Sequence, residues 1–208
     1  MILDFHTHNQ QATEAIISVM PQEFDPQQGK RYSVGIHPWR SQQVTPAMLD
    51  ALHTAARHPQ VAAIGETGLD ALRGAPLPMQ QSLFQEHITL AEQLGKPLII
   101  HMVRTSQQVL KAWRESQRAV PWVIHGMRGN PRVAQPLIDA GFYLSFGPRF
   151  NPATVAATPL DRLLIETDDN PTTTIHQVAQ AIAQARNIPT QHLITTVTAN
   201  AHNLLPQP

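Results

Sequence analysis

The chain of 208 residues is long enough for one sizeable hydrophobic core and lies near the lower limit for eight strand–helix units. Its 15 basic and 15 acidic residues balance, so no overall positive field attracts nucleic acid, and a polynucleotide substrate would have to be held locally. The sequence contains no cysteine, which excludes disulfides, thiolate metal sites and cysteine nucleophiles.

The N-terminus and the apolar runs bear on location. No basic segment followed by a long apolar segment precedes His6, so we expect no signal peptide. No apolar run approaches the roughly 18 residues that a membrane helix requires. We therefore expect a cytoplasmic protein without a membrane segment, and the sequence predicts no protein partner.

Short apolar runs rich in β-branched residues alternate with longer amphipathic stretches, which is typical of an α/β protein with a parallel sheet. The pattern predicts strands at 1–5, 14–20, 31–36, 61–65, 97–101, 121–125, 141–145 and 163–166. It predicts helices at 46–57, 79–94, 106–118, 131–139, 151–157, 174–186 and 190–200. No composition shift or internal repeat divides the chain, so we expect a single domain over residues 1–208.

The second strand is the weakest of these predictions. Residues 14–20 would equally fit a short helix, although Ile16, Ile17 and Val19 favour a strand. With a strand there, the first two helices of the fold are reduced to loops at 9–13 and 21–30. The expected fold class is therefore α/β, a distorted (β/α)8 TIM barrel with the first helices shortened or missing.

Six residues that can bind metal share one setting, because each lies at or near the downstream end of an apolar run. They are His6, His8, Glu66, His101, His125 and Asp168. A metal site at the C-terminal mouth of a parallel barrel requires imidazoles and carboxylates in this position. Each residue alone has an ordinary explanation, such as a polar turn, an acidic turn or a hydrogen-bonded core histidine.

The order of the strands predicts how these side chains meet. His6 and His8 have the spacing of residues on one side of a strand, and a closed barrel would place Asp168 beside them. His101 and His125 follow the fifth and sixth strands and would lie side by side. Glu66 could bridge two ions through its two oxygens.

Several motifs occur in order along residues 1–170 and together resemble the TatD family of metal-dependent hydrolases, in the amidohydrolase superfamily. They are Asp4-x-His6-x-His8, Gly35-Ile36-His37-Pro38, Gly65-Glu66-x-Gly68-Leu69-Asp70, Ile99-Ile100-His101, His125-Gly126 and Glu166-Thr167-Asp168.

The resemblance implies a distorted barrel with two divalent ions. It implies that His6, His8, Glu66 and Asp168 bind one ion, that Glu66, His101 and His125 bind the other, and that His37 lies near the substrate. The chain departs from the family where Val103 replaces a usual arginine and Arg104 follows it, and where Met127 replaces an aromatic residue.

The expected activity is hydrolysis of a phosphodiester, as by a deoxyribonuclease that acts from a strand end. Two ions would lower the pKa of a bridging water and neutralise phosphate charge, while Asp168 would accept the proton of that water. Asp168 and Glu66 are thus the catalytic candidates. Arg104 and Arg128 are candidates to bind a phosphate, and Arg149 is a weaker third.

Two other functions fit the same ligands. A small-molecule amide or ester hydrolase would use the ions to polarise a carbonyl, and a non-catalytic barrel would bind metal only. The presence of all six ligand residues argues against the non-catalytic barrel. Histidine and carboxylate ligands suit Zn, Mn, Ni or Fe, and Mg is a further candidate, so the sequence leaves the metal open.

Overall fold

The computed structural model describes residues 3–206 and contains, within that range, eight β-strands and seven α-helices. The strands are β1 (Asp4–Thr7), β2 (Ala15–Val19), β3 (Arg31–Val34), β4 (Val61–Asp70), β5 (Leu98–Val103), β6 (Trp122–Ile124), β7 (Tyr143–Phe146) and β8 (Leu163–Ile165). The helices are α1 (Pro46–Ala56), α2 (Leu77–Leu94), α3 (Ser106–Glu115), α4 (Pro131–Asp139), α5 (Pro152–Ala157), α6 (Ile175–Ala185) and α7 (Thr190–Leu204). None of these helices is long and apolar enough to cross a membrane.

The eight strands follow chain order in one sheet, from β1 to β8. Every strand pair with a described register is parallel, and helices connect the strands from β3 onward. Thr7 at the end of β1 also forms a parallel bridge with Asp168, which follows β8. This topology is that of the predicted (β/α)8 barrel.

Contacts between Cα atoms group the described chain into two compact units. The first contains residues 3–17 and 123–204, and the second contains residues 18–122 together with 205–206. The predicted single domain over residues 1–208 stays a prediction.

All eight predicted strands are present, although their limits differ. Met1 and Ile2, which the first predicted strand included, lie outside the described residues. The prediction for β4 ended at residue 65, where the apolar run stops, whereas the strand continues to Asp70. It continues because residues 67–70 pair with β5, so Glu66 lies within a strand and not after one.

The missing early helices are confirmed in outline. No α-helix occurs between β1 and β3 in the described chain, and only a 3-10 turn, Pro21–Glu23, interrupts the second predicted loop. Two further 3-10 helices, Pro38–Gln43 and Leu160–Arg162, had no counterpart in the predictions. The apolar period does not identify such short segments, since they span only one or two 3-10 turns.

Capping residues mark the boundaries of three helices. The Thr45 side chain accepts the Met48 N–H at 3.3 Å, and the Asn130 side chain accepts the Val133 N–H at 3.3 Å. Gly95 ends α2 in the left-handed conformation at φ 63°, where glycine avoids the penalty of a Cβ. α1 and α4 begin and α2 ends where the sequence predicts, whereas α2 begins at Leu77, two residues before its predicted start.

A buried histidine on α2 supports the segment that carries His37. His87 Nε2 accepts the N–H of Ile36 at 2.9 Å, and its Nδ1 faces the carbonyl of Leu83 at 2.8 Å. These two partners assign the hydrogen to Nδ1, which gives a neutral imidazole. Burial lowers the pKa of His87 to about 4, because a charged ring would lose its hydration.

The depressed pKa of His87 predicts a loss of stability in acid. Between pH 6.5 and about 4 the unfolded chain binds a proton at His87 while the folded chain does not, so the free energy of unfolding falls as the pH falls. The variant His87→Gln should be less stable than wild type at neutral pH, and it should lose less stability across this window. Urea unfolding at several pH values measures both effects.

The matched control is His192→Gln, which changes an exposed histidine on α7. It should follow the pH profile of the wild type. A His87→Gln profile with the same slope as the wild type would contradict the prediction.

Candidate metal centres

The first unit gathers histidines and carboxylates from the ends of three strands. We call this set the His6 cluster, and its members are His6, His8, His125, Glu166 and Asp168. His6 is in β1, while the other members lie within three residues after the ends of β1, β6 and β8.

His6 and His8 converge on one carboxylate oxygen. Asp168 Oδ1 lies 3.6 Å from His6 Nε2 and 3.8 Å from His8 Nε2, and ligand atoms of the three residues lie within 4.8 Å of one another. His6 is fully buried, whereas His8 is exposed. The predicted meeting of Asp168 with both histidines is therefore present.

Asp168 adopts a backbone conformation that is uncommon for a side chain with a Cβ. Its φ is 56°, in the left-handed region, which costs energy for residues other than glycine and is least unfavourable for aspartate and asparagine. Its N–H donates to the His6 carbonyl at 3.0 Å, and its carbonyl accepts the His8 N–H at 3.1 Å. Backbone bonds to both histidine residues thus fix the strained residue at the seam between β1 and β8.

A buried carboxylate strengthens the same seam. Asp4 accepts the Thr167 N–H at 3.0 Å and the Thr167 hydroxyl at 2.5 Å. Burial raises the pKa of Asp4 to about 6, and the two bonds from Thr167 lower it only in part. An ionised Asp4 thus depends on Thr167, the residue before Asp168, to offset its lost hydration.

Glu166 contacts His125 and the residue that follows it. One oxygen, Oε1, accepts the Gly126 N–H at 2.6 Å and lies 3.4 Å from His125 Nδ1. Glu166 is fully buried, and Oε2 is a buried oxygen with no hydrogen-bond partner among the described residues.

The second unit contains a second group of histidines and carboxylates, which we call the Glu66 cluster. Its members are His37, Glu66, Asp70 and His101. Glu66 Oε1 lies 3.0 Å from both His37 Nε2 and His101 Nδ1. The side chains approach because Gly35 runs against β4, where a Cβ at Gly35 would lie 2.6 Å from the Glu66 carbonyl oxygen.

Asp70 orients His101 from the opposite side of the ring. Asp70 Oδ2 lies 3.1 Å from His101 Nε2 and accepts the Trp39 indole N–H at 2.6 Å, while Oδ1 accepts the Leu72 N–H at 2.8 Å. Burial raises the pKa of Asp70, but these hydrogen bonds outweigh it and leave that pKa below its usual value. An ionised Asp70 favours the hydrogen on Nε2, so Nδ1 presents a lone pair toward Glu66.

Both clusters fit a divalent cation. In the Glu66 cluster, a histidine lone pair and a carboxylate oxygen face each other at 3.0 Å, an arrangement that a shared cation stabilises. In the His6 cluster, the buried Oε2 of Glu166 has no hydrogen-bond donor among the described residues, and a cation would satisfy it. Neutral imidazoles with carboxylates form a donor set for Zn, Mn, Fe or Ni.

The predicted phosphate-binding residues lie on the surface. Arg104 follows β5 directly and is exposed, with φ 55°. Arg128 is also exposed, and its Nη2 lies 3.9 Å from Asp168 Oδ2, while Arg149 is exposed after β7. These positions leave their role in phosphate binding a prediction.

Sequence reasoning missed three supporting residues. Thr167 precedes Asp168 and donates its hydroxyl to Asp4, and His87 accepts the N–H of Ile36, the residue before His37. Amino-acid composition and hydrophobic periodicity do not reveal such buried hydrogen bonds. Gln80, buried on α2, accepts the Asp70 N–H at 2.8 Å and donates to the Asp70 carbonyl at 2.9 Å. The signal in the sequence for both His87 and Gln80 was a polar residue on the apolar face of the predicted helix α2.

The topology and the two clusters are those of a metal-dependent hydrolase with a (β/α)8 fold. The family described as TatD related DNase matches residues 6–206. The chain therefore belongs to this family, as its motifs predict.

Three relatives illustrate the similarity. The uncharacterized metal-dependent hydrolase YabD of Bacillus subtilis (strain 168) is 30% identical over 196 residues, which cover 83% of this chain and 76% of that protein. The uncharacterized metal-dependent hydrolase TatD of Mycobacterium tuberculosis (strain ATCC 25618 / H37Rv) is 33% identical over 149 residues, 65% of this chain and 56% of that protein. The 3'-5' ssDNA/RNA exonuclease TatD of Klebsiella pneumoniae (strain 342) is 32% identical, with the same two shares covered. The match thus spans little more than half the length of two of them.

Solved structures show the same fold. The structure of YJJV, a TATD homolog from Escherichia coli k12, superposes with a TM-score of 0.84 at 21% identity and covers 100% of this chain and 98% of its own. A TatD family hydrolase from Entamoeba histolytica gives a TM-score of 0.80 at 15% identity, with 98% and 97% covered. The predicted fold class is confirmed.

The bond between Asp4 and Thr167 predicts a measurable loss in the variant Thr167→Val. This change removes the hydroxyl from a buried carboxylate without altering the size of the side chain, so the free energy of unfolding should fall by about 1–3 kcal/mol. Because Thr167 precedes Asp168, the affinity for Mn²⁺ should fall as well. Urea unfolding and calorimetric titration with Mn²⁺ measure the two effects.

Thr195→Val is the control, since Thr195 is exposed on α7 and donates only to the Gln191 carbonyl of its own helix. It should leave both measurements near the wild-type values. Wild-type stability in Thr167→Val would show that the seam does not depend on this bond.

Proposed function

We propose that this metal-dependent hydrolase is a phosphodiesterase that removes nucleotides from the end of a single-stranded DNA or RNA. The observation that carries the proposal is the convergence of histidines and carboxylates at strand ends in both units, with ligand atoms within 4.8 Å. The name of the Klebsiella pneumoniae relative, a 3'-5' ssDNA/RNA exonuclease, supports the substrate class. A balanced formal charge of +0 supports a short or terminal substrate over extended tracking along a strand.

We assign ligand roles to His6, His8 and Asp168 in the first unit, and to Glu66 and His101 in the second. The predicted role of Glu66 as a bridge and that of His125 as a ligand stay predictions. Two divalent ions per chain are expected, which metal analysis of the purified protein measures. The cytoplasmic location stays a prediction too.

Bound divalent ions would supply Lewis-acid stabilisation of phosphate charge and would lower the pKa of the attacking water. Asp168 is our candidate to accept the proton, because its carboxylate is partly exposed beside two histidines. Arg128 is our candidate to bind a phosphate, because its exposed ion pair with Asp168, at 3.9 Å, is weak and exchanges readily. His37 Nδ1 accepts the Trp39 N–H at 3.1 Å, so the ring hydrogen lies on Nε2, which faces Glu66 Oε1 at 3.0 Å. The expected position of His37 near the substrate stays a prediction.

The contact between Asp70 and His101 makes the metal affinity depend on a residue that is not itself a ligand. In Asp70→Asn the neutral amide no longer favours the hydrogen on His101 Nε2, so Mn²⁺ should bind about 10- to 100-fold more weakly. Asp50→Asn changes an exposed carboxylate on α1 and should bind Mn²⁺ as the wild type does. Calorimetric titration compares the three proteins, and unchanged affinity in Asp70→Asn would exclude this orienting role.

The activity itself is tested with Mn²⁺- or Zn²⁺-loaded protein. It should shorten a single-stranded oligonucleotide from one end, which end-labelled substrates on a gel would show as a ladder. Asp168→Asn should reduce the rate at least about 100-fold, as expected for loss of a positioned base. Asp169→Asn, which changes the exposed neighbouring carboxylate, should retain the wild-type rate.

The same assay separates the other functions. Hydrolysis of p-nitrophenyl acetate without cleavage of any phosphodiester would replace the proposal with an ester hydrolase. A metal-loaded protein inactive on all substrates would favour the non-catalytic alternative.

A further inference from the structure

Three large apolar side chains are strongly exposed in the described chain, and all belong to one region. Trp39 is 46% exposed, Leu72 is 59% exposed and Met79 is 53% exposed. Trp39 is in the 3-10 helix Pro38–Gln43, Leu72 follows β4, and Met79 is in the first turn of α2. Grouped exposed apolar side chains commonly mark a binding surface.

The loop between β4 and α2 is fixed against the 3-10 helix. Ser41 Oγ accepts the Ala75 N–H at 2.9 Å, and Gln42 donates to the Gly74 carbonyl at 3.2 Å. Gly74 approaches Pro38 so closely that a Cβ there would collide with the Pro38 carbonyl oxygen. Gln80 Nε2 also donates to the carbonyls of Arg73 and Ala75 at 2.9 and 2.7 Å. The exposed side chains are thus presented by an ordered backbone.

Trp39 is attached directly to the Glu66 cluster. Its indole N–H donates to Asp70 Oδ2 at 2.6 Å, and its ring centroid lies 4.7 Å from that of His37 and 5.8 Å from that of His101. The Arg73 guanidinium lies over the Trp39 ring, 4.5 Å from the centroid. An exposed aromatic ring and an exposed cation therefore adjoin the ligand atoms.

We propose that Trp39 and Arg73 form a nucleotide-binding subsite beside the Glu66 cluster, in which Trp39 stacks on a base and Arg73 pairs with a phosphate. The subsite rests on the proposed function and specifies its substrate as a single strand, because a base within a duplex already has stacked neighbours on both faces. Stacking on an aromatic ring tolerates any base, since every base has a π-face. The subsite therefore binds without sequence preference.

A purely structural role for Trp39 explains less. The half-buried Trp113 on α3 makes a similar contact, because the Arg118 guanidinium lies 4.4 Å from its ring centroid. Such a contact therefore does not by itself distinguish Trp39. Asp70 would retain the Leu72 and Arg73 N–H donors without an indole. Exposure of nearly half of a tryptophan adds no stability to the fold, whereas it suits a surface that a base covers.

The test compares two tryptophan variants on two substrates with Mn²⁺-loaded protein. The substrates are a short single-stranded oligonucleotide and the same strand with abasic sites in its last three positions. Trp39→Leu should raise KM for the complete oligonucleotide about tenfold and leave KM for the abasic strand unchanged. Trp39→Phe keeps an aromatic face, so it should retain most of the preference for the complete oligonucleotide. Because it also lacks the indole N–H, it controls for structural effects of losing the bond to Asp70.

Trp113→Leu is the matched control and should retain the wild-type preference for the complete strand. Arg73→Gln should raise KM on both substrates and should reduce the salt dependence of binding by about one phosphate contact. If Trp39→Leu weakens both substrates equally, or weakens neither, the subsite does not exist.

Binding separates this proposal from the proposed function. A phosphorothioate oligonucleotide that resists cleavage is titrated against the same variants, with tryptophan fluorescence as the signal. Quenching in wild type and in Trp113→Leu, with loss in Trp39→Leu, supports the subsite even in a protein that cleaves no DNA or RNA. Absence of binding by the wild type would overturn the subsite whatever the enzyme hydrolyses.

Discussion

The His6 cluster depends on a buried bond between the first strand and the end of the last. Asp4 in β1 accepts both the N–H and the hydroxyl of Thr167, and the next residue, Asp168, bonds through its backbone to His6 and His8. This bond carries a cost, because burial raises the pKa of Asp4, and the hydrogen bonds from Thr167 are the largest of the interactions that stabilise its charge. A strained Asp168 is therefore maintained by the seam, and not by its own conformational preference.

The Glu66 cluster is organised by a different means. The imidazole rings of His37 and His101 are each held by a hydrogen bond at the ring nitrogen that does not face Glu66. Trp39 donates its backbone N–H to His37, while Asp70 faces His101 Nε2. Because Asp70 also accepts the Trp39 indole N–H, the orientation of one ligand and the position of one exposed aromatic ring share a single carboxylate. Asp70 is thus a common partner of the Trp39 indole and the His101 ring within this unit.

The strands were predictable because apolar, β-branched runs are what parallel strands buried on both faces require, and β2 is an example in which all five residues are buried. The extension of β4 through Gly65 and Gly68 was not, since glycine weakens the strand signal and the pairing with β5 lies far away in sequence. The proximity of Asp168 to His6 and His8 was predictable from strand order alone. The contacts of His37 with Glu66 and of Asp70 with Trp39 depend on side-chain directions in the segment that follows β3, which strand order leaves open.

Because the net charge is balanced, substrate binding would depend on individual exposed residues. With 15 basic and 15 acidic residues, electrostatic attraction at long range contributes little, so the proposed polynucleotide substrate would have to be bound by short-range contacts near the clusters. An aromatic face is effective in this setting, because stacking does not depend on counterion release and changes little with salt. Under the proposed function, exposed arginines such as Arg73 and Arg128 would add the phosphate contacts. A neutral enzyme acting in this way would favour the end of a flexible strand over the interior of a duplex, because the end would offer an unstacked base and a phosphate together.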